Sequence, residues 1–399
     1  MPLKNIRDQF PALDQIVYGK PLVYLDNAAT AQRPSSVVEL QKSLAQGANA
    51  NIHRAVHKLA SDATEAYENT REYVREYMGA QHASEIVFTS GTTASINLVA
   101  YSFGEAFIGK GEEIIISVAE HHSNIVPWQL LCGRKGAVLK VLDIDKNGVL
   151  SPDALEKLIS ERTKIVAISH ISNVLGLVNP VRELCAVCHK HGVPVLVDGA
   201  QGIVHSKVNV QEIGCDFYAF SGHKIYAATG TGVLYGKKDL LDAMPPFMGG
   251  GEMIKSVSFS GTTYANSPAK FEAGTQNINS VPTLVPALEF ASANDTDPAI
   301  TEYVYAKLTE NERITLYGTG LENKIPLFSF AVKGAHHEDL ALILDKMGIA
   351  LRSGQMCAEP LMDRLGVTGL LRASFAPYNT MEEAKYFIEC LDRAIDMLI

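Results

Sequence analysis

Residues that could take part in catalysis stand in five short stretches, each at the end of a predicted strand. The first is a turn of small residues from Ser90 to Thr93 that opens a helical pattern, and the free N–H groups at a helix start suit a phosphate. The other four supply an aromatic titratable ring, an amide, a carboxylate with an amide, and a hydroxyl with an imidazole and an amine: His121, Asn173, Asp198 to Gln201 and Ser221 to Lys224. Together these groups could bind a phosphate, cover an aromatic ring and offer a nucleophilic amine.

These groups match the requirements of pyridoxal phosphate. That cofactor needs a lysine for its Schiff base, a carboxylate that keeps its ring nitrogen protonated, and hydroxyl and backbone donors for its phosphate. Lys224, Asp198 and the turn around Thr93 can supply them. Each is ordinary alone, since an aspartate at a strand end is often a helix cap and a single lysine is usually a surface charge. In combination and in this order they predict a pyridoxal phosphate site.

The elements that must position these residues alternate between strands and helices. Short β-branched runs are followed by helical patterns, and the runs cover residues 85–89, 113–118, 164–169 and 193–197. This alternation predicts an α/β fold with a mostly parallel sheet between two layers of helices. Ligands of such sheets bind beyond the carboxyl ends of the strands, which is where the five stretches stand.

The pattern changes after about residue 295 and indicates a smaller α+β unit. Strands are predicted at 313–317, 326–332, 349–352 and 371–375, and helices at 337–347 and 381–398. The turn-forming segment from Asn294 to Pro298 is a plausible boundary. We therefore expect a large α/β domain over residues 26–294 and a small α+β domain made of residues 1–25 and 295–399, in which the placement of the N-terminal segment rests on the resemblance described below.

Composition narrows the classes of partner. The 399 residues include 35 Lys and Arg against 44 Asp and Glu, a net charge of −9, and no basic block occurs. Nucleic acid and anionic membrane are therefore poor candidates for a main partner. We find no signal peptide and no membrane-spanning run, so we expect a cytoplasmic protein with reduced thiols.

Two short motifs match the patterns of other binding sites, a haem or zinc site and a nucleotide-binding loop, but the residues around them do not complete those sites. The segment from Cys185 to His189 has the haem-attachment spacing, yet it stands inside a helical pattern, and no second pair of ligands completes a zinc site. The segment from Gly104 to Lys110 matches the start of a nucleotide-binding loop, but Gly111 replaces the required hydroxyl. We therefore predict no metal or nucleotide site there.

Ten segments of the sequence together resemble the class V aminotransferase superfamily, and within it the type II, Suf-type cysteine desulfurases and selenocysteine lyases. They are residues 25–29, 53–57, 91–97, 120–128, 172–176, 197–201, 220–224, 249–253, 271–275 and 352–357. The resemblance covers nearly the whole chain. It implies the fold type I of pyridoxal-phosphate-dependent transferases.

The resemblance also implies roles at the cofactor. Lys224 matches the Schiff-base lysine, which can also move protons at the substrate Cα, Asp198 matches the partner of the ring nitrogen, and Gln201 matches the donor to the phenolic oxygen. His121 matches the ring stacked on the cofactor. The remaining cofactor ligands are Asn173 and, around the phosphate, Thr92, Thr93, Ser221, His223 and Thr275. Thr275 matches a ligand delivered by the neighbouring subunit, so a homodimer with shared active sites is implied.

Substrate binding is implied at Arg372, whose planar guanidinium suits a carboxylate, with Asn173 assisting and with Arg352 and His53 nearby. Five of the six cysteines fall in helical or strand patterns, where buried and inert thiols are expected. Cys357 instead stands in a loop before Pro360, a setting that suits a nucleophile.

The implied reaction converts L-cysteine to L-alanine and leaves a persulfide on Cys357. The persulfide then passes to an acceptor, which the resemblance indicates is a dedicated protein, for iron–sulfur cluster assembly or another thio-cofactor. Two departures from the Suf-type pattern stand out: Gln355 and Met356 replace two histidines, and Ser90 and Ala94 replace an arginine and a glutamate. Selenocysteine lyase, cysteine sulfinate desulfinase, another class V aminotransferase or lyase, and a cofactor-bound scaffold for sulfur transfer remain alternatives.

Overall fold

The computed structural model describes residues 6–399, so the part of the expected small domain at residues 1–5 lies outside the described residues. The strands are β1 Ile16–Val17, β2 Lys20–Pro21, β3 Val23–Tyr24, β4 Ile86–Thr89, β5 Glu113–Ser117, β6 Val138–Leu142, β7 Thr163–Ser169, β8 Val195–Asp198, β9 Phe217–Ser221, β10 Gly232–Gly236, β11 Ile254–Ser258, β12 Gly261–Tyr264, β13 Ile314–Tyr317, β14 Leu327–Val332, β15 Ile349–Ala350, β16 Arg352–Gly354 and β17 Leu370–Ser374.

The α-helices of the same region are α1 Ser35–Gly47, α2 Lys58–Met78, α3 Thr92–Phe107, α4 Val126–Lys135, α5 Pro152–Leu158, α6 Val181–Lys190, α7 Gly202–His205, α8 Val210–Ile213, α9 Lys238–Ala243, α10 Leu284–Ala293, α11 Pro298–Glu310, α12 His337–Lys346, α13 Glu359–Leu365 and α14 Met381–Leu398. No helix among residues 6–399 is both long enough and apolar enough to cross a membrane.

The large sheet has the strand order β4-β10-β9-β8-β7-β5-β6. Its neighbours pair in parallel from β9 to β6, and β10 alone in this sheet runs against both of its neighbours. The prediction of a mostly parallel sheet is therefore confirmed. The carboxyl ends of β4, β5, β7, β8 and β9 consequently meet at one edge of the sheet.

Helices cover both faces of this sheet because its strands are apolar on both sides, as strands of buried parallel sheets are. Along β7, Val166 and Ile168 contribute to one core, whereas Ile165 and Ala167 contribute to the other. The first core includes residues of α2, α6 and α10, and the second includes residues of α3 and α4, among them the fully buried Trp128. The two-layer arrangement predicted from the alternation is therefore present.

The C-terminal unit is built on an antiparallel sheet with the strand order β13-β14-β17-β16. Apolar residues of α11, α12 and α14 pack with this sheet in a core of their own. Helix α14 begins after a capping box in which the Thr380 hydroxyl and the Glu383 carboxylate each accept a backbone N–H of the other residue, which explains its sharp start. We propose the domain division near residue 295 on the basis of this separate core.

The N-terminal segment contacts both units. Strand β3 pairs in parallel with β15, and Val23 and Leu25 lie in the core of the C-terminal unit. Phe10 instead packs with aromatic rings in the core of the large unit. The strand expected at 349–352 is divided in two, because β15 pairs with β3 whereas β16 turns to pair with β17.

Candidate active site

A cavity of about 350 Å³ lies at the carboxyl edge of the large sheet, between the sheet and the C-terminal unit. Twelve of the predicted site residues line it, although they are spread over 281 positions of the chain from Thr92 to Arg372. They are Thr92, Thr93, His121, Asn173, Asp198, Gln201, Ser221, His223, Lys224, Arg352, Cys357 and Arg372. The two that do not line it are His53 and Thr275.

One end of the cavity is built for an anion. Helix α3 begins there, and Ser221 Oγ accepts from the backbone N–H of Thr92 and lies 2.8 Å from the Thr92 hydroxyl. Gly91 precedes the helix with φ +148°, and a Cβ at this position would lie 3.2 Å from Ser221 Oγ. Glycine is therefore required where β4 turns into α3 beside β9. The helix start and two hydroxyls can bind a phosphate.

Lys224 and Asp198 both line the cavity. Burial lowers the pKa of the Lys224 amine, while the charge of Asp198 acts against that shift. Burial raises the pKa of Asp198, opposed by Lys224 and by the Ala200 N–H, which donates to Oδ1 at 2.9 Å. A lowered pKa makes the neutral amine more accessible, which suits Lys224 to nucleophilic attack on a carbonyl and to proton transfer.

His121 covers the cavity with a neutral ring. Burial lowers its pKa to about 3, helped by the charges of Lys224 and Arg372, and the Ser123 N–H donates to its Nδ1 at 3.1 Å. The preceding carboxylate of Glu120 is fully buried and accepts from Ser117 Oγ, from Asn124 Nδ2 at 2.7 Å and from the Ser169 N–H at 3.0 Å. These bonds fix the loop that carries His121.

Burial raises the pKa of Glu120 to about 7, and the nearby charge of Asp198 acts in the same direction. Residue 120 stands in one of the ten segments, but no role was predicted for it. Its signal was its position, one residue before a ring that must be held in place.

Arg372 on β17 is almost fully buried and only partly paired. Its Nη1 donates to the carbonyl oxygen of Asn173 at 3.0 Å and its Nη2 to Asp26 Oδ1 at 3.1 Å. Its Nε has no partner within residues 6–399. A buried N–H without an acceptor costs free energy, so this geometry is suited to a bound carboxylate. Asp26 was missed as a site residue, although it stands in one of the motifs.

Cys357 is the exposed thiol of the six, all of which are unpaired. Cys185, Cys188, Cys215 and Cys390 are buried, and burial raises the pKa of each thiol. The expectation that Cys132 is buried is wrong, because this residue of α4 is partly exposed. Exposure at the cavity therefore distinguishes Cys357 from the other thiols.

Two amides of the site already have partners in the protein. Asn173 Nδ2 donates to the Met356 carbonyl oxygen at 2.9 Å, and Gln201 Nε2 donates to the Ala28 carbonyl oxygen at 2.7 Å. Met356 is buried and lines the cavity, whereas Gln355 is exposed. Of Gln355 and Met356, which stand where the Suf-type pattern has two histidines, Met356 is therefore the one that forms part of the cavity wall.

The single chain does not bring His53 or Thr275 to the cavity. His53 Nε2 lies 2.9 Å from Glu68 Oε1, and Thr275 is exposed on the loop after Glu272. Within one chain the His53 ring is paired with Glu68 and does not line the cavity, so substrate binding by His53 stays a prediction. Among residues 6–399 no group of three or more His, Cys, Asp or Glu side chains could hold a metal ion.

Residues 23–387 match the family described as Aminotransferase class-V. The chain belongs to this family. A probable cysteine desulfurase of Halalkalibacterium halodurans is 46% identical over 98% of each chain, and a cysteine desulfurase of Cronobacter sakazakii is 44% identical over 98% of each. These findings confirm the superfamily predicted from the ten segments.

Solved structures agree with this assignment. The crystal structure of the cysteine desulfurase CsdA from Escherichia coli matches with a TM-score of 0.90 and 41% identity, over 98% of both chains. An apo structure of a cysteine desulfurase from Thermococcus onnurineus matches with a TM-score of 0.93 and 36% identity, over 99% of this chain and 98% of that one. The predicted fold type I of this class-V aminotransferase is therefore confirmed.

Proposed function

We propose that this class-V aminotransferase is a pyridoxal-phosphate-dependent cysteine desulfurase. It converts L-cysteine to L-alanine and keeps the sulfur as a persulfide on Cys357. The observation that carries the proposal is one cavity that joins a buried lysine, an arginine whose buried Nε has no partner in the described part of the chain, and an exposed thiol. The names of the relatives support the same activity.

The cavity suits pyridoxal phosphate at each of its parts. The start of α3 with Thr93, Ser221 and His223 would hold the phosphate, and Asp198 would hold the ring nitrogen. Gln201 would face the phenolic oxygen, and the neutral His121 ring would cover the cofactor ring. When bound, this cofactor supplies an electron sink for negative charge that develops on the substrate.

The residues of the chain have separate tasks in the reaction. Arg372 binds the substrate carboxylate through its free Nε and a neighbouring N–H, which orients Cα toward Lys224. The Lys224 amine takes the proton from Cα and returns a proton to form alanine, a task that its lowered pKa favours. The carbonyl oxygen of Asn173 and the carboxylate of Asp26 hold the guanidinium in place.

Cys357 carries out the sulfur transfer. Its thiolate attacks the sulfur of the substrate, so that an S–S bond forms while the Cβ–S bond breaks. The bonding pair of the Cβ–S bond stays with the substrate carbon, which ends as the methyl group of alanine. The protons of the two reactants are all retained, and the sum is L-cysteine plus a Cys357 thiol giving L-alanine plus a Cys357 persulfide.

The surroundings of this activity belong to the same proposal. Thr275 would complete the phosphate site of a second copy of the chain, so the enzyme acts as a homodimer with shared active sites. The exposed persulfide is passed to a sulfur-acceptor protein, for iron–sulfur cluster assembly or other thio-cofactors. The cytoplasm is the proposed location, because the six unpaired thiols would stay reduced there.

The decisive test compares two cysteine variants of the purified holoenzyme. Alanine and sulfide released from L-cysteine are measured in the presence of a reductant, and the mass of the Cys357 peptide is measured without one. Cys357→Ser should lose at least about a hundredfold in sulfide release, since the nucleophile is removed. Cys132→Ser is the matched control at the other thiol that water reaches and should keep the activity. Full sulfide release by C357S would refute the assignment.

A further inference from the structure

The residues at Cys357 have a backbone conformation that their surroundings must hold. Met356 has φ +54° and Cys357 has φ +55°, so two consecutive non-glycine residues lie in the left-handed region. Side chains disfavour this region, and such residues persist where neighbouring contacts fix them. The contacts of this segment therefore decide where the Cys357 thiol points.

Two segments of the large sheet hold the carbonyl groups of these residues. Asn173, in the loop after β7, donates its amide N–H to the Met356 carbonyl oxygen at 2.9 Å. His122, in the loop after β5, donates its backbone N–H to the Cys357 carbonyl oxygen at 2.8 Å. The nucleophile segment is thus anchored to the same sheet edge that carries Lys224 and Asp198.

The imidazole of His122 makes a second contact, two residues after Cys357 in the chain. Its Nε2 accepts from the Glu359 backbone N–H at 3.2 Å, at the first residue of α13, with the Glu359 carboxylate 3.5 Å away. The Glu359 N–H is one of the donors at the start of α13 that have no partner inside the helix, and the N-cap residue Ala358 makes no side-chain cap. His122 therefore supplies an acceptor to the start of α13 from a different loop.

We propose that His122 is a positioning residue for Cys357. Its backbone N–H holds the Cys357 carbonyl oxygen and its ring holds the Glu359 N–H, so the segment that carries the thiol is kept at the cavity. This inference rests on the proposed function, in which Cys357 attacks the substrate sulfur. His122 does not line the cavity, so it acts only through the segment that it holds.

The test uses three variants of the full-length holoenzyme. His122→Ala removes the acceptor and leaves the backbone contact, whereas His122→Gln keeps an acceptor at a similar reach. The matched control is His336→Ala, because His336 also caps a helix by accepting a backbone N–H, that of Glu338 at 3.3 Å, but lies at the start of α12 away from the cavity. The melting temperature of each variant shows that it is folded.

Two readouts separate positioning from folding. H122A should lower kcat about tenfold and leave KM for L-cysteine within about twofold, because a displaced nucleophile slows attack while the Arg372 site is intact. The rate of Cys357 alkylation by iodoacetamide, followed on the Cys357 peptide, should rise at least about threefold, because the acceptor that restrains the segment is gone. H122Q and H336A should keep wild-type values in both readouts.

Wild-type kcat and a wild-type alkylation rate in H122A would overturn the proposal. It would equally be overturned if H122Q were as impaired as H122A, because the lost acceptor would then not be the cause. The alkylation readout needs no turnover, so it decides the positioning role even if the wild-type protein releases no sulfide from L-cysteine, a result that would refute only the proposed function.

Discussion

The two sides of the cavity differ in how they present their reactive groups. On the side of the large sheet, Asp198 ends the central strand β8 and is buried, as is Ser221 at the end of β9. On the side of the C-terminal unit, Cys357 is exposed on a loop in a left-handed conformation. One side is part of a rigid sheet, and the other is held by a few hydrogen bonds.

This difference follows from the tasks of the two sides in the proposed reaction. A cofactor and a proton-transferring amine need a fixed geometry in a site with little water, which strand ends between two cores provide. A thiol that must reach the substrate and later an acceptor needs exposure, and loops provide it. Arg372 is the exception on the second side, since it is buried on β17 and binds rather than transfers.

The largest effect is expected when the Lys224 amine is removed from the large-sheet side of the cavity. Lys224→Ala should lower sulfide release at least about a thousandfold, because no other amine among residues 6–399 lines the cavity to move the Cα proton. The matched control is Lys324→Ala, at a lysine whose pKa burial lowers to about 7 but which lines a different cavity. K324A should keep its activity within about twofold. Equal losses in the two variants would contradict the special role of the rigid side.

The next largest effect is expected at Arg372, the buried residue on the C-terminal side of the cavity. Arg372→Lys should raise KM for L-cysteine about tenfold to a hundredfold, because the ammonium cannot form the paired N–H bonds to a carboxylate. The control Arg7→Lys, at a partly buried arginine paired with Glu383, should leave KM unchanged. If R372K lowered only kcat, Arg372 would belong with the groups that act in the transition state.

A smaller effect is expected when the support of Arg372 is weakened. Asp26→Asn removes the charge that holds Nη2 but keeps an oxygen acceptor, so KM should rise about threefold to tenfold. Steady-state kinetics of the holoenzyme with L-cysteine measure this change. A KM identical to that of the wild type would mean that burial alone orients the guanidinium.

The smallest effect concerns the free energy of unfolding in acid and involves His170, which follows β7 of the large sheet. Burial lowers the pKa of His170 to about 4, from an ordinary value near 6.5. Below pH 6.5 the unfolded chain binds a proton that the folded chain refuses, so the free energy of unfolding should fall by up to about 1.4 kcal/mol per pH unit down to about pH 4 from this residue. His170→Gln should reduce the slope measured by urea unfolding between pH 7 and pH 5. An unchanged slope would contradict this contribution.

Much of the architecture could be predicted because the local signals agree with the fold. The run 164–169 was predicted from its β-branched residues and forms β7 with one residue added, and α14 has the predicted bounds. The strand at 349–352 was predicted as one piece from its own four residues. Its division depends on β3 and β17, which are distant in the sequence.

The amino-acid sequence by itself determined the family, the sheet with its carboxyl edge, and the residues that carry the proposed chemistry, because residue types and local periodicity encode these features. Only the tertiary structure decided which of these residues face one cavity, that Arg372 Nε has no partner among residues 6–399, that His53 is paired with Glu68, and that His122 contacts the Cys357 segment. The physical reason is that burial, hydrogen-bond partners and pKa values arise from contacts between segments far apart in the chain.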